Sequence, residues 1–386
     1  MKIAAVITGL DPGGAEAMLL NLTRSLKTRD VELKVFVLSG GATLVPQFEA
    51  IGVEVICLGL RKGPGALCGL LSLSKKIRIF GPDLVHTWMP HADLIGGVAS
   101  RMAGINAVIW SLHHADLSTK SLRTTTVFVL KINALLCRFV PEAIVAVSQH
   151  TLINHLKFGF SDSKLSVIHN GIDARRFKHN ETAKPLLRQE WQVNAGKKII
   201  GFVGRFAVVK RVEDFLMATA QLMKENPGYH VVMVGSDLTW DNKQLVSWIE
   251  NCGLDKNITL LGDRSDLPDV MSSFDLLVST SADEAFGMVL IEAMATGCPC
   301  VATRSGGSEA VSGGLIPLAE VGNIAELQKQ MTSQLNLASG ELLSLRNAMR
   351  QHVLKNFSIE TVTEQYLELY GELIQHDSTA QTTKPH

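Results

Sequence analysis

The stretch Leu276-Leu277-Val278-Ser279-Thr280-Ser281-Ala282-Asp283-Glu284-Ala285-Phe286-Gly287-Met288-Val289-Leu290-Ile291-Glu292-Ala293-Met294-Ala295-Thr296-Gly297 changes character twice. It opens on a short aliphatic run, the mark of a strand covered on both faces. A polar turn follows. From Gly287 an apolar run continues past the usual length of a strand and stops at Gly297, which reads as a buried helix with a glycine at its end. Strand, loop and helix in one sweep make a βα unit.

The same rhythm extends both ways. Towards the N-terminus, strands are read over 199–204, 231–235 and 258–262, with helices near 212–223 and 244–252. Towards the C-terminus come a strand over 300–303 and a helix near 324–335. The polar, charged stretch 173–196 interrupts the pattern. Before it lie strands over 3–8, 33–38, 53–58, 84–88, 107–111 and 144–147, with helices near 15–26, 66–79, 92–103 and 124–139. Apolar strands alternating with helices predict parallel sheets covered on both faces. The fold class is therefore α/β, as two doubly wound Rossmann-like domains facing across a cleft. The expected boundaries are 1–180 and 181–356, then an amphipathic final helix within 357–376, then a disordered tail 377–386.

Composition agrees. The chain has 386 residues, 46% hydrophobic and 19% charged, enough apolar material for two cores. Lys plus Arg is 37 and Asp plus Glu is 37, so the net charge is zero and no global basic excess points to nucleic acid. The six cysteines form no CxxC pair and read as reduced thiols of a cytoplasmic protein. The apolar run at residues 3–7 is too short for a signal peptide, and no run of apolar residues is long enough for a transmembrane helix.

Ligands of parallel sheets bind beyond the carboxyl ends of the strands. The strand over 199–204 ends in Gly204-Arg205-Phe206-Ala207-Val208-Val209-Lys210-Arg211, with a helix following. Arg205 and Lys210 are either a solvated basic turn or an anion site, since two cations beside a helix N-terminus oppose its dipole unless an anion is present. The helix starting at Gly287 offers free backbone N–H groups to a phosphate. Glu292 lies about 7.5 Å further along its axis, and its carboxylate suits the cis-diol of a ribose. Glu284, before the helix, is a surface acid or a sugar-hydroxyl acceptor. The chain has no Asp-x-Asp. Diphosphate charge would then be met by Arg205, Lys210 and the helix N-terminus, with no metal.

Glu284-x7-Glu292, the Gly204-Arg205…Lys210 loop, and Gly306-Gly307-Ser308-Glu309 after Val301-Ala302-Thr303 resemble the retaining glycosyltransferases of the group 1 / family 4 type, which have the GT-B fold. Gly13-Gly14-Ala15-Glu16 and Asn170-Gly171-Ile172-Asp173 resemble further signatures of that family. The resemblance covers nearly the whole chain. It implies a UDP- or GDP-sugar donor, with Arg205 and Lys210 on the diphosphate, Glu292 on the ribose and Glu284 on the transferred sugar. Phe286, Gly287, Met288 and Val289 contribute backbone contacts, Gly14 approaches the donor from the first domain, and Arg264 is a candidate at the base-binding edge. It also implies a histidine at the end of the 107–111 strand, His113 with His114 as the alternative. The final helix resembles one that crosses back to the first domain. Two positions depart from the pattern: Ala285 and Arg211 stand where glycine is frequent.

The implied acceptor is a hydroxyl of a glycan or lipid-linked molecule, in bacterial surface polysaccharide, lipopolysaccharide or glycolipid assembly, with peripheral association at the cytoplasmic face of the inner membrane. His86 and His91 are candidates for the acceptor pocket. The segments 120–138 and 66–78 mix bases with apolar residues and could lie on an anionic membrane; the missing clean polar face over 124–130 favours core helices with snorkelling bases. Other readings of the whole are a nucleotide-sugar epimerase of the same fold and a non-catalytic two-lobed sugar-binding protein. A dehydrogenase is disfavoured because Gly9-Leu10-Asp11-Pro12-Gly13-Gly14 is not GxGxxG.

Overall fold

The computed structural model describes residues 1–60, 65–117 and 122–382, apart from the side chains of 65, 66 and 377–382. Lys120, counted above in the basic segment, lies outside the described residues. The chain divides into two compact units, 1–171 together with 359–386, and 172–358.

The first unit holds β1 (Lys2–Ile7), β2 (Glu32–Val37), β3 (Glu54–Cys57), β4 (Leu84–Trp88), β5 (Val108–Leu112), β6 (Ala143–Ala146) and β7 (Leu165–Val167). They form one sheet in the order β3-β2-β1-β4-β5-β6-β7, parallel throughout. The period of two assigns side chains to faces. Ile3, Ala5 and Ile7 of β1 pack in one cluster with Met18, Leu19 and Leu22 of the helix Gly14–Lys27. Ala4 and Val6 pack in another with Leu73 and Ile77 of the helix Gly65–Phe80. On that second face, Leu130 of the helix Thr124–Leu136 covers Val108 and Trp110.

The last helix, Ile359–Thr382, belongs to this unit. Ile359, Val362, Tyr366 and Tyr370 recur at helical spacing and join the cluster of Ile3 and Met18. Each aliphatic side chain buried in this way contributes roughly 1.5–3 kcal/mol. The helix continues through Thr382, so the disorder expected from 377 does not begin there; 383–386 lie outside the described residues.

The second unit holds β8 (Lys198–Val203), β9 (Tyr229–Val234), β10 (Ile258–Leu260), β11 (Leu276–Ser279), β12 (Cys300–Thr303) and β13 (Leu318–Ala319). The order is β10-β9-β8-β11-β12-β13, again parallel. The sequence reading has every strand but β7 and β13, which are too short to show a pattern.

The division between units falls after Gly171, not at 180. The charged stretch that reads as a linker is folded onto the second unit. Asn180 donates through Nδ2 to Asp269 Oδ1 (2.8 Å), and Arg350 donates to the carbonyls of Phe177 (3.0 Å), Ala295 (2.5 Å) and Ala174 (3.2 Å). Its polar residues serve as hydrogen-bond partners, which composition alone does not distinguish from solvation.

Candidate active site

In the second sheet β8 sits between β9 and β11, so the chain leaves the ends of β8 and β11 in opposite directions. This is the switch point of a doubly wound sheet, where a crevice opens beyond the strand ends. The two loops that rise from it are Gly204–Arg211 and Thr280–Gly287, which carry most of the residues singled out from sequence.

The loops are stitched together. Thr280 Oγ1 donates to the carbonyls of Lys210 (2.8 Å) and Arg211 (3.0 Å), and Ala282 N donates to Val209 O (2.7 Å). These bonds bring the Lys210 ammonium onto the Glu284 carboxylate as an ion pair, and Ser281 Oγ donates to the same Oε1 at 2.7 Å. The backbone of Glu284 is tied on its other side, its N–H to Ser305 O (3.1 Å) and its carbonyl to Gly307 N (3.0 Å). Here only glycine fits: a Cβ on Gly307 would stand 2.6 Å from Glu284 O and 2.7 Å from Phe286 N. The Gly306-Gly307 signature is thus a close backbone approach that fixes the acidic loop.

Gly287 caps the helix Met288–Ala295 at φ 90°, with no side-chain cap. The N–H groups of Met288 and Val289 stand at its first turn, where no intrahelical partner exists. The side chain of Phe286 is apolar, and its buried ring meets Phe357 edge-on at 5.5 Å. Glu292 lies on this helix, and its carboxylate has no hydrogen bond to any described residue. Burial pushes its carboxyl up to about 7, against a smaller opposing pull from Arg176. Half-buried, this carboxylate keeps acceptor capacity that no described protein group takes up.

Arg205 is exposed, and its guanidinium has no ion pair among the described residues. Lys210 differs, because Glu284 already holds its charge. Arg211 occupies the left-handed region (φ 48°, ψ 51°), where glycine would cost nothing, and forks onto Asp214 at 2.5 and 3.0 Å. Arg264 is held by acids: Asp266 (2.8 and 2.6 Å) and Glu190 (2.6 Å) take up three of the five N–H donors of its guanidinium. Ser281 and Arg176 were missed, the first because a serine in a polar turn carries no signal, the second because it lies in the apparent linker.

In the first unit β1 and β4 flank the corresponding switch point. Gly14 is the first residue of the helix Gly14–Lys27, and Gly13 caps it with no side-chain bond. The carboxylate of Glu16 occupies the space a Cβ on Gly13 would need. His113 follows β5; its ring stacks on Trp88 at 5.1 Å and 25°, and its buried Nε2 has no hydrogen-bond partner. Burial first, then His114, lowers its pKa to about 3, so the ring is neutral at physiological pH. His114 is also held neutral by burial, with its Nδ1 unpartnered. His86 is no pocket liner: it is buried, with Nδ1 on Tyr370 Oη (2.8 Å) and Nε2 on Ser111 Oγ (2.6 Å).

A surface depression elsewhere on the second unit, lined by Glu181, Lys184 and Arg188, offers less. Its cations are committed, Lys184 to Asp275 (2.5 Å) and Arg188 to Asn194 O (2.8 Å).

Comparison with known proteins matches both halves. The glycosyl transferases group 1 model covers residues 183–352, and the glycosyltransferase family 4 model covers 12–176. The chain is 28% identical to N-acetyl-alpha-D-glucosaminyl L-malate synthase of Bacillus anthracis over 304 residues, 76% of this chain and 75% of that one. It is 26% identical to the UDP-Gal:alpha-D-GlcNAc-diphosphoundecaprenol alpha-1,3-galactosyltransferase of Escherichia coli, over 84% of each. Among solved structures, Anabaena HepE in complex with UDP-glucose superposes at a TM-score of 0.85 over 96% of this chain and 100% of that one, at 24% identity. Two parallel-sheet units and family matches over both halves place the chain among the group 1 glycosyltransferases, transferase enzymes of the GT-B fold.

Proposed function

We propose that this enzyme transfers a sugar from a nucleoside diphosphate sugar, UDP- or GDP-linked, to a hydroxyl of a glycan or lipid-linked acceptor, with retention at the anomeric carbon. The setting is bacterial surface polysaccharide or glycolipid assembly, with peripheral attachment to the inner face of the membrane. The observation that carries the donor class is the unsatisfied Glu292 carboxylate on a helix whose start adjoins the Lys210–Glu284 pair. A ribose diol supplies the two donors that Glu292 lacks. The reading is supported by relatives: HepE was solved with UDP-glucose, and the Escherichia coli relative is named for a UDP-Gal donor and a diphosphoundecaprenol acceptor.

The chemistry is a redistribution of charge. The bond from the anomeric carbon to the diphosphate oxygen breaks, and its electron pair stays on phosphate. Arg205 and the N–H groups of Met288 and Val289 face that developing charge, while Lys210 shares itself between phosphate and Glu284. Glu284, held in place by Lys210 and Ser281, accepts from hydroxyls of the sugar as it becomes oxocarbenium-like. The acceptor oxygen bonds to the anomeric carbon on the face the diphosphate leaves, and its proton passes to the departing phosphate oxygen. His113 enters by family resemblance, its neutral ring giving one hydrogen bond to a sugar hydroxyl.

The test starts with thermal shifts under UDP, GDP and ADP, since a ligand at 100 times its Kd adds about 2.7 kcal/mol of stability. Sugars on the stabilising nucleotide are then offered with an acceptor, and the product's anomeric configuration is read by NMR. A glycoside of unchanged configuration is expected, and EDTA is expected to leave the rate intact. Interconversion of the donor sugar with no acceptor consumed would replace this reading with an epimerase.

A further inference from the structure

The outer surface of one helix layer in the first unit is both apolar and basic. The helix Thr124–Leu136 buries Val127, Leu130 and Asn133 but turns Phe128 (65% exposed) and Leu135 (74%) outward, and Phe139 (74%) follows. The helix Gly65–Phe80 does the same: Leu73 and Ile77 are in the core, while Leu67, Leu71 and Ile79 are exposed. Both pack against the intervening helix Pro90–Ala103, so they lie in one layer on one face of the sheet. The core reading of these helices thus accounts for only their inner faces.

Charge on this layer is segregated. Lys75, Lys76, Arg78, Arg123, Lys131 and Arg138 lie on these segments, all exposed and none ion-paired among the described residues. Residues 65–82 and 122–141 contain no Asp or Glu, in a chain whose net charge is zero. Arg78 instead donates to Met102 O (2.6 Å), and Met102 is itself exposed.

We propose that this layer is a docking surface for an anionic phospholipid bilayer, with the aliphatic and phenyl side chains entering the headgroup boundary and the six cations resting on lipid phosphates. Outward apolar residues interleaved with bases and free of acids are the composition of an interfacial helix. A second copy of the chain would set six cations against six. A nucleic acid would use the bases but not Leu67, Leu71, Ile79 or Leu135. The surface gives a structural basis to the membrane attachment proposed above, yet its test needs neither donor nor acceptor, so its failure leaves the sugar-transfer reading standing.

The full-length protein is floated with vesicles of phosphatidylcholine, and of phosphatidylcholine mixed with phosphatidylglycerol. At least about a tenfold preference for the mixed vesicles is expected, lost as salt rises from about 50 to about 500 mM. The triple variant Phe128→Ser/Leu135→Ser/Phe139→Ser should lose about tenfold in binding to the mixed vesicles at an unchanged melting temperature, since all three side chains are exposed. Lys75→Gln/Lys76→Gln/Arg78→Gln should weaken binding to the mixed vesicles and leave binding to neutral lipid unchanged. Wild-type binding that ignores lipid charge, or a triple variant that binds as wild type, overturns the proposal. So does a dimer in sedimentation that the triple variant disperses, because a second copy then covers this face.

Discussion

Glu292 is a single residue with two measurable consequences. Its carboxyl titrates near 7 in the fold and near 4.5 when unfolded. Between those values the unfolded chain ionises while the folded one keeps its proton, so stability falls as pH rises through that window, by at most about 3 kcal/mol. Glu292→Gln should remove this loss and raise the melting temperature of the ligand-free protein at about pH 8. It should also weaken nucleotide binding, because the amide cannot accept two bonds side by side. Calorimetry with and without UDP or GDP separates the effects; a variant that leaves both unchanged would take Glu292 out of the site. For Lys210 and Glu284 the expectation is non-additivity. Each alanine variant should lower kcat/KM by about 100-fold or more, and the double variant by little more than either, because the pair acts as a unit. Additive losses in a steady-state cycle would mean the two act separately.

Among elements, the two βα loops of the second unit decide the site, and neighbouring segments hold them. Gly307 shows how. A Cβ there meets backbone at 2.6–2.8 Å rather than a yielding side chain. Gly307→Ala should destabilise the protein by about 2–4 kcal/mol and displace Glu284, so that activity falls even where the protein folds. A melting temperature and rate equal to wild type would show that the loop relaxes freely. This dependence was only partly legible. Gly306-Gly307 stood out as a motif, but the partner it approaches, the Glu284 loop, lies more than twenty residues earlier in the chain. Arg211 carries the same lesson from the other side. Sequence marked it as a departure from glycine, and the structure shows a left-handed backbone there, with Asp214 holding the side chain. The commitment of His86 was not legible, because Tyr370 comes from a distant element; that of Arg264 was partly so, since Asp266 lies two residues on while Glu190 comes from a distant element.

For the whole molecule, the first unit concentrates neutral buried histidines. His86 and His113 are lowered to about 3 and His155 to about 4, mainly by burial. Lowered folded values mean that the unfolded chain takes up protons first as pH falls below about 6.5, so stability is present above that value and drains away below it. Protection factors from hydrogen exchange, in which the pH dependence of the intrinsic rate is divided out, should be lower at about pH 5 than at about pH 7.5 in peptides covering β4, β5 and the segment 149–158. Equal protection at both values would show that these rings are protonated without cost.

The alternation of aliphatic runs and helical patterns determined two parallel α/β sheets, because backbone pairing and burial on both faces leave little choice for such a pattern. It also placed Arg205, Lys210, Glu284, Gly287 and Glu292 on strand-end loops or the helices they open. Tertiary structure alone decided which charges are spent and which remain available. Lys210 meets Glu284, Arg264 is bound by two acids, Glu292 is left unsatisfied, and the bases at 75–78 and 123–138 share one helix layer with outward phenyl and aliphatic groups. Chain order cannot carry that information, since a side chain's free energy depends on neighbours that only folding brings within a few ångströms.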